Sequence, residues 1–307
     1  MNEVERLADG QIPLLIYLQN VAAFVSGLPE EKFIRSIIDL VINTTSGAKR
    51  PDIKKIPELK EAIIHTDDTV GFAFMQKGLQ VAQAVVKLQV PSYFQSMPRL
   101  QSNGVPLVFL GTGWLLTDAL IMTNHHVINA RTEAEADADR DDLQLQVQRA
   151  TATFDFDSDR TTGMQVPVKE LVAWDAGLDY AVLRIAPSGR TPLPCSKSIV
   201  DVSVDSVAVN IVQHPAGRSK RYGIRNNLVT ASTASELRYF TDTESGSSGS
   251  PVLNDDWKVV ALHRAALYVS EVNFQGKDTA YVNVGTHISL ILDDMKARFP
   301  NVAQEVT

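Results

Sequence analysis

The sequence predicts a mainly β domain over residues 76–307, preceded by a small α-helical domain over residues 1–75 and closed by a C-terminal helix. Three observations point there. Near the N-terminus, Ile12, Leu15, Ile16, Leu18, Val21, Ala22 and Val25 recur at helical spacing. From Ala82 to Val90 the pattern changes to that of a strand, and short apolar runs broken by turns fill much of the chain beyond Val90. From Ser289 to Phe299 the helical period returns.

Within residues 1–75, Pro29 sits at the first turn of a second helix, where Glu30 and Glu31 favour the positive end of the dipole. Phe33, Ile34, Ile37, Ile38 and Val41 give that helix an apolar face. Gly47 and Pro51 break the pattern, and a third helix is expected over Pro57 to Ile64. Such a bundle is small enough that an independent core is marginal. Asp67, Asp68, Thr69 and Val70 are expected to cap one further short helix running through Gln80.

The chain of 307 residues carries a formal net charge of −7 and 44% hydrophobic residues, enough for two domains with cores. With no basic excess, no nucleic-acid partner is expected. Met1-Asn2-Glu3-Val4-Glu5-Arg6 lacks the basic start and apolar stretch of a secretory signal. The apolar run from Ile12 to Val25 is interrupted by Gln19 and Asn20 and is too short to span a bilayer, so no membrane partner is expected. Cys195 is the single cysteine, which leaves no intramolecular disulfide and fits a reducing compartment. The expectation is a soluble cytoplasmic protein.

Three short segments carry candidate chemistry: Thr123-Asn124-His125-His126-Val127, Leu178-Asp179-Tyr180-Ala181-Val182-Leu183 and Gly246-Ser247-Ser248-Gly249-Ser250-Pro251. A serine hydroxyl is a weak nucleophile at neutral pH and needs an imidazole within reach to take its proton. A carboxylate must hold that imidazole in the right tautomer. His126, Asp179 and Ser248 are the candidates for base, orienting acid and nucleophile. The backbone N–H groups of Gly246 and Ser248 are the candidate donors to a developing oxyanion, since Gly246 has no side chain to obstruct them. An elbow of the Gly-x-Ser-x-Gly type does not fit, because Ser250 replaces its last glycine and Pro251-Val252-Leu253 reads as entry to a strand. His125 and His126 are adjacent, so on a strand only one could face the serine. No HExxH or paired-cysteine spacing supports a metal site, and no cofactor is expected. The acidic stretch from Thr132 to Asp142 matches no calcium loop and reads as a solvated loop. Gln213-His214-Pro215-Ala216-Gly217 reads as a loop, with His214 structural.

Gly111-Thr112-Gly113-Trp114-Leu115-Leu116, followed by Ile121-Met122-Thr123-Asn124-His125-His126-Val127, resembles the first half of a trypsin-like peptidase. The segment from Tyr239 to Val252, continuing through Trp257 to Val260-Ala261-Leu262-His263, is similar to the bacterial glutamyl-endopeptidase branch of that superfamily. The resemblance covers residues 85 to 299. It implies a chymotrypsin-like double six-stranded β-barrel with a C-terminal helix, a protein or peptide substrate, and His126 rather than His125 as the base. Glu61 to Thr69, leading into Phe74-Met75-Gln76-Lys77-Gly78-Leu79, resembles effector-associated modules of bacterial conflict systems. That implies a protein partner for the helical module and a role in antiviral defence or signalling; a helical subdomain that merely packs on the barrel is the alternative.

Substrate selection is ambiguous in the sequence. Asp242 stands where basic-selective trypsin relatives carry a carboxylate, whereas Thr243 and His263 match the glutamyl-selective pattern. The two conflict unless Asp242 points away or pairs with His263. Ser247 stands where trypsin-like zymogens carry an aspartate that captures a new N-terminal amine, so control is expected instead from association of the helical module with a partner. Two function classes remain under the resemblance: a serine endopeptidase, and a binding or signalling module that has kept the barrel and lost turnover.

Overall fold

In a computed structural model, residues 69–132, 134–203, 207–274 and 277–306 are described. The chain divides into two compact units, Met1–Asp68 and Thr69–Thr307. The helices expected between Ile12 and Ile64 lie outside the described residues.

The second unit begins with helix α1 (Ala73–Ala82). It starts later than the Asp67–Val70 cap would place it, and Phe72 precedes it without a side-chain cap. Its buried face is Phe74, Gly78 and Ala82. Phe74 lies 4.7 Å from Trp257, ring to ring, and the Trp257 indole N–H donates to the Phe74 carbonyl at 2.9 Å. The opening strand β1 (Val85–Pro91) comes next, three residues later than the expected Ala82 because α1 and its turn take up Ala82 to Ala84.

Two antiparallel sheets make the body of the unit. The first contains β1, β4 (Val108–Leu115), β5 (Leu120–Thr123), β6 (Thr151–Phe154), β7 (Met164–Pro167), β8 (Glu170–Asp175) and β9 (Tyr180–Arg184), in the order β7-β6-β1-β4-β5-β9-β8. The short hairpin β2 (Tyr93–Phe94) and β3 (Met97–Pro98) stands apart. The second sheet contains β10 (Asn210–Gln213), β11 (Arg221–Gly223), β12 (Val229–Ser232), β13 (Glu236–Tyr239), β14 (Pro251–Leu253), β15 (Val259–Phe274) and β16 (Lys277–His287), in the order β11-β10-β14-β15-β16-β13-β12.

Each sheet therefore has seven strands where the resemblance implied six. The difference has a local cause. The edge strands β7 and β8 are consecutive in sequence, separated by Val168 and Lys169, and β7 pairs with β6 while β8 pairs with β9. One length of chain thus turns a corner and serves both edges, and Pro167, which cannot donate a ladder bond, marks the corner. In the second sheet the edges β11 and β12 are likewise consecutive, joined by residues 224–228. Each sheet curls so that one bent segment borders both sides, which removes free edges.

The first core gathers Leu88, Trp114, Leu120, Ile121, Met122, Phe154, Tyr180 and Leu183; the second gathers Val209, Ile211, Leu237, Tyr239, Val252 and Val260. The expected C-terminal helix is present as α4 (Ile288–Arg298) and is succeeded by a short α5 (Pro300–Glu305), the break falling at Phe299, just before a proline that disfavours continuation. α4 buries Ile288, Ile291 and Met295, and its Asp294 accepts a 2.6 Å bond from the Tyr180 hydroxyl. Among the described residues no helix is long and apolar enough to cross a membrane.

The stretch from Thr132 to Asp142 corrects the expectation of a solvated loop. Glu135 accepts from Thr132 and Asp137 accepts from Asn129, so the segment is tied down by its own hydrogen bonds. Asp139 then caps a helix, α3 (Arg140–Gln148), by accepting from Asp142 N–H. Asp142 is only 2% exposed, pairs with Arg131 at 3.0 Å and accepts from the N–H groups of Gln95 and Ser96. Charge composition concealed a buried ion pair, because burial of a carboxylate is set by the partner that reaches it from elsewhere.

Candidate active site

His126 lies on α2 (His125–Asn129), a helix of little more than one turn after β5. Its preceding residue Asn124 is buried and extended, and the Asn124 side-chain amide donates to the Asp179 carbonyl at 2.7 Å. Asp179 sits between β8 and β9 with φ of +53°, a left-handed backbone that costs a non-glycine residue on the order of 1 kcal/mol. That conformation turns its carboxylate toward α2. Oδ1 accepts from the His126 backbone N–H at 3.0 Å and Oδ2 meets Nδ1 at 2.8 Å. A carboxylate can only accept, so Nδ1 carries the proton and Nε2 keeps its lone pair. The ring is 44% exposed and free to take a proton from outside.

His125 goes elsewhere. Because the two histidines share a helix rather than a strand, they diverge by about 100° around its axis. His125 is buried and stacks on Trp174 with ring centroids 5.0 Å apart. The structure brings His126, and not His125, to Asp179.

Ser248 comes from the loop between β13 and β14. Gly249, at φ of +87°, is wedged against the strand ends before His126: a Cβ there would lie 2.2 Å from the Thr112 carbonyl oxygen, 2.3 Å from Thr123 Oγ1 and 3.2 Å from the Asn124 nitrogen. Only glycine fits, and the close approach carries Ser248 to the same edge of the first barrel as His126. Gly246, at φ of +94°, packs less tightly, a Cβ there lying 3.0 Å from the His214 carbonyl oxygen and the Gly217 nitrogen.

The four consecutive carbonyls from Ser245 to Ser248 are engaged. Ala216 N–H donates to Ser245 at 2.6 Å, Thr112 Oγ1 to Gly246 at 2.8 Å, Ser250 Oγ to Ser247 at 2.6 Å, and Thr112 N–H to Ser248 at 2.8 Å. The Ser247 hydroxyl accepts from Glu244 N–H at 3.1 Å. The N–H groups of Gly246 and Ser248 have no partner among the described residues. They are two unspent donors beside a half-buried serine hydroxyl. In this resting arrangement Ser248 Oγ makes no hydrogen bond to His126.

Thr112 is the residue that sequence reasoning missed. Its hydroxyl donates to Gly246 and accepts from His214 N–H at 3.0 Å, its N–H donates to Ser248, and its carbonyl accepts from Thr123 Oγ1. The signal available was a threonine between two glycines, Gly111 and Gly113, which says nothing of partners more than a hundred residues away. His214 is structural, as expected: its Nδ1 lies 3.0 Å from the Arg218 carbonyl, and burial pushes its pKa down to about 4.

Of the three candidate specificity residues, His263 is 3% exposed and its Nδ1 meets the Tyr239 hydroxyl at 2.7 Å. Burial pushes the His263 pKa down to about 3 and that of Tyr239 well up, so both stay neutral. The phenol has no other acceptor, so its proton goes to Nδ1 and leaves Nε2 as a donor. Thr243 Oγ1 donates to Asn283 Oδ1 at 2.7 Å, and the Asn283 amide in turn donates to the Thr241 carbonyl. Asp242 is exposed, makes no pair with His263, and lines a cavity of 820 Å³ together with Thr243, Arg221 and Tyr222. Its carbonyl accepts from the Gln213 amide at 2.9 Å. Among the described residues no group of three or more histidine, cysteine or acidic side chains could hold a metal ion.

Two curled antiparallel sheets, an oriented imidazole and a serine on a glycine-bounded turn define the class: a trypsin-like serine protease fold. Residues 111–262 match the family model of the trypsin-like peptidase domain, and residues 1–76 match that of effector-associated domain 5. The chain carries a trypsin-like peptidase domain in its second unit and an effector-associated domain at its N-terminus. It is 28% identical over 282 residues to an uncharacterized protein of Sinorhizobium fredii, an alignment covering 86% of this chain and 38% of that protein. It is 29% identical over 166 residues to a secreted RxLR effector protein of Plasmopara viticola, covering 50% and 41%. The chain thus spans about two fifths of the length of these curated relatives. Among solved structures, it is similar to a protease of M. tuberculosis in its active form, with 15% identity and a TM-score of 0.49 over 76% of this chain and 93% of that one. A serine endoprotease from Yersinia pestis gives 18% identity and a TM-score of 0.47 over 75% and 67%.

Proposed function

We propose that this protein is a serine endopeptidase in which His126, Asp179 and Ser248 act as base, orienting acid and nucleophile. Nε2 of His126 takes the Ser248 proton as Oγ attacks a peptide carbonyl. The oxyanion is received by the N–H groups of Gly246 and Ser248. The imidazolium then gives its proton to the leaving amine, and water, activated by the same ring, releases the acyl-enzyme. The observation that carries this reading is the double grip of Asp179 on His126, at the ring and at the backbone. The open Ser248–His126 gap is compatible with it, because such bonds commonly tighten only when substrate is bound.

The Tyr239–His263 and Thr243–Asn283 pairs favour an acidic residue before the scissile bond, since His263 Nε2 offers a neutral donor and Asp242 makes no pair with His263. The loop before the nucleophile is held by Ser247, Thr112 and Ala216 and by an exposed Glu244–Arg218 pair, and Ser247 stands in place of an amine-capturing aspartate, which supports control through the N-terminal module and a protein partner. Cleavage in a cytoplasmic bacterial defence or signalling pathway completes the reading.

The test is labelling by a fluorophosphonate probe. The full chain is expected to be labelled and Ser248→Ala to be silent. Folded protein that resists the probe with and without candidate partners would favour a binding module on the same barrel.

A further inference from the structure

A cavity of 660 Å³ opens between α2, α3 and β8, and none of its side chains has a part in the chemistry above. That volume is in the range of sites that hold organic ligands. Its wall is His125, one residue before the proposed base. His125 is 7% exposed, and neither ring nitrogen has a hydrogen-bond partner among the described residues. Neither nitrogen is among the buried polar atoms left without a partner, so the polar edge of the ring is open to solvent, and the space it borders is the cavity. Trp174 stacks on the same ring at an interplanar angle of 20°, yet remains 39% exposed. A large indole left exposed beside an imidazole whose polar edge faces open space is a surface built for contact.

The floor is apolar, formed by Ala138, Leu143 and Leu171, with the amide of Gln144 at the mouth. Charges around it are of both signs, Arg140 against Asp137 and Glu170, so no single ionic ligand is selected. Burial lowers the His125 pKa, which favours a neutral ring in the cavity wall. α2 carries both this wall and His126, and the turn after β8 carries Asp179. His125 in the cavity wall is the chain neighbour of His126, which puts the cavity beside the proposed catalytic groups.

We propose that this cavity is a substrate subsite that takes an apolar or aromatic side chain of the peptide being cleaved, with Trp174 as its contact face and His125 or Gln144 bonding the adjacent peptide group. The inference rests on the endopeptidase reading above. It adds a second selection, independent of the residue at the scissile bond, supplied by the inserted helix α3.

The experiment profiles cleavage of a peptide mixture by the full chain. Leu, Phe, Tyr or Trp is expected to be enriched at one fixed position within about four residues of the cut. For matched peptides with Phe or Ala there, the wild-type ratio of kcat/KM should be about tenfold or more. In Trp174→Ala that ratio should fall to about twofold or less, and Trp174→Phe should restore most of it. Absence of apolar enrichment, or an unchanged ratio in Trp174→Ala, overturns the subsite. Fluorophosphonate labelling of the same samples separates the failures: labelled protein that cuts without this preference sinks the subsite alone, whereas protein neither labelled nor cutting sinks the endopeptidase reading and the subsite with it.

Discussion

The first barrel fixes its imidazole through side chains, with Asp179 gripping His126 at two points, whereas the second fixes its serine through backbone bonds that end on Ser245, Gly246, Ser247 and Ser248. The first half of the site is a pair of residues whose chemistry can be named in isolation. The second half is a shape, held by two left-handed glycines and by Thr112, which reaches across from the first barrel. Side-chain positioning tolerates the loss of a packing neighbour better than a shape does, while a shape tolerates loss of a charge better than an oriented imidazole does. The two halves should therefore fail differently.

The largest effect is expected on the first-barrel side. Asp179→Asn keeps the volume but presents an amide to Nδ1, which favours the wrong tautomer, and kcat should fall by about 10⁴-fold with the melting transition little changed. A loss under tenfold would mean that Asp179 has no orienting role. On the second-barrel side, Thr112→Val keeps the shape and strips two buried backbone groups, the Gly246 carbonyl and the His214 N–H, of their partner. Each orphaned group costs about 1–3 kcal/mol. The expected signature is a fall in kcat of about 10–100-fold together with lower stability, since one loosened donor of an oxyanion site is worth up to about 10²–10³-fold. Unchanged kcat and unchanged urea midpoint would show that the loop holds without Thr112.

The smallest effect is on pH dependence and also divides the barrels. His214 and His263 belong to the second, with pKa values of about 4 and about 3, both pushed down mainly by burial. The unfolded chain takes up these protons below its ordinary value of about 6.5, while the native chain does not. Stability is therefore full above about pH 6.5 and falls as the pH drops toward 3–4, by up to about 1.4 kcal/mol per pH unit for each histidine. Urea unfolding at pH 7 and pH 5 measures the slope. His125 and His287, also lowered by burial, add to it, so His214→Gln should flatten the slope only in part, and an unchanged slope would place the lost stability elsewhere.

How far the sequence could be read differs along the same line. His126, Asp179, Ser248 and Gly246 were legible because nucleophilic catalysis demands those residue types and the neighbouring apolar runs put them at strand ends. Thr112 was not, since its partners Gly246, Ser248 and His214 meet it only after two barrels pack. Asp142 and α3 were not, because an acidic stretch reads as solvated until Arg131 is brought beneath it. Trp174 belonged to no motif, and the resemblance passed over His125 in favour of His126. Their stacking depends on α2 being a helix rather than the continuation of β5.

By itself the sequence determined which chemistry the chain could carry, because a weak nucleophile needs a base, an orienting acid and free amide donors, and each need names a residue type. It also determined the local periods that make strands before Pro251 and helix after Ile288. Only the tertiary structure decided which of the two histidines meets Asp179, that Asp242 makes no pair with His263, and where an imidazole and a half-bare indole stack beside one cavity. Those outcomes depend on distances between segments remote in the chain, and remote distances are fixed by packing and burial rather than by any pattern within a segment.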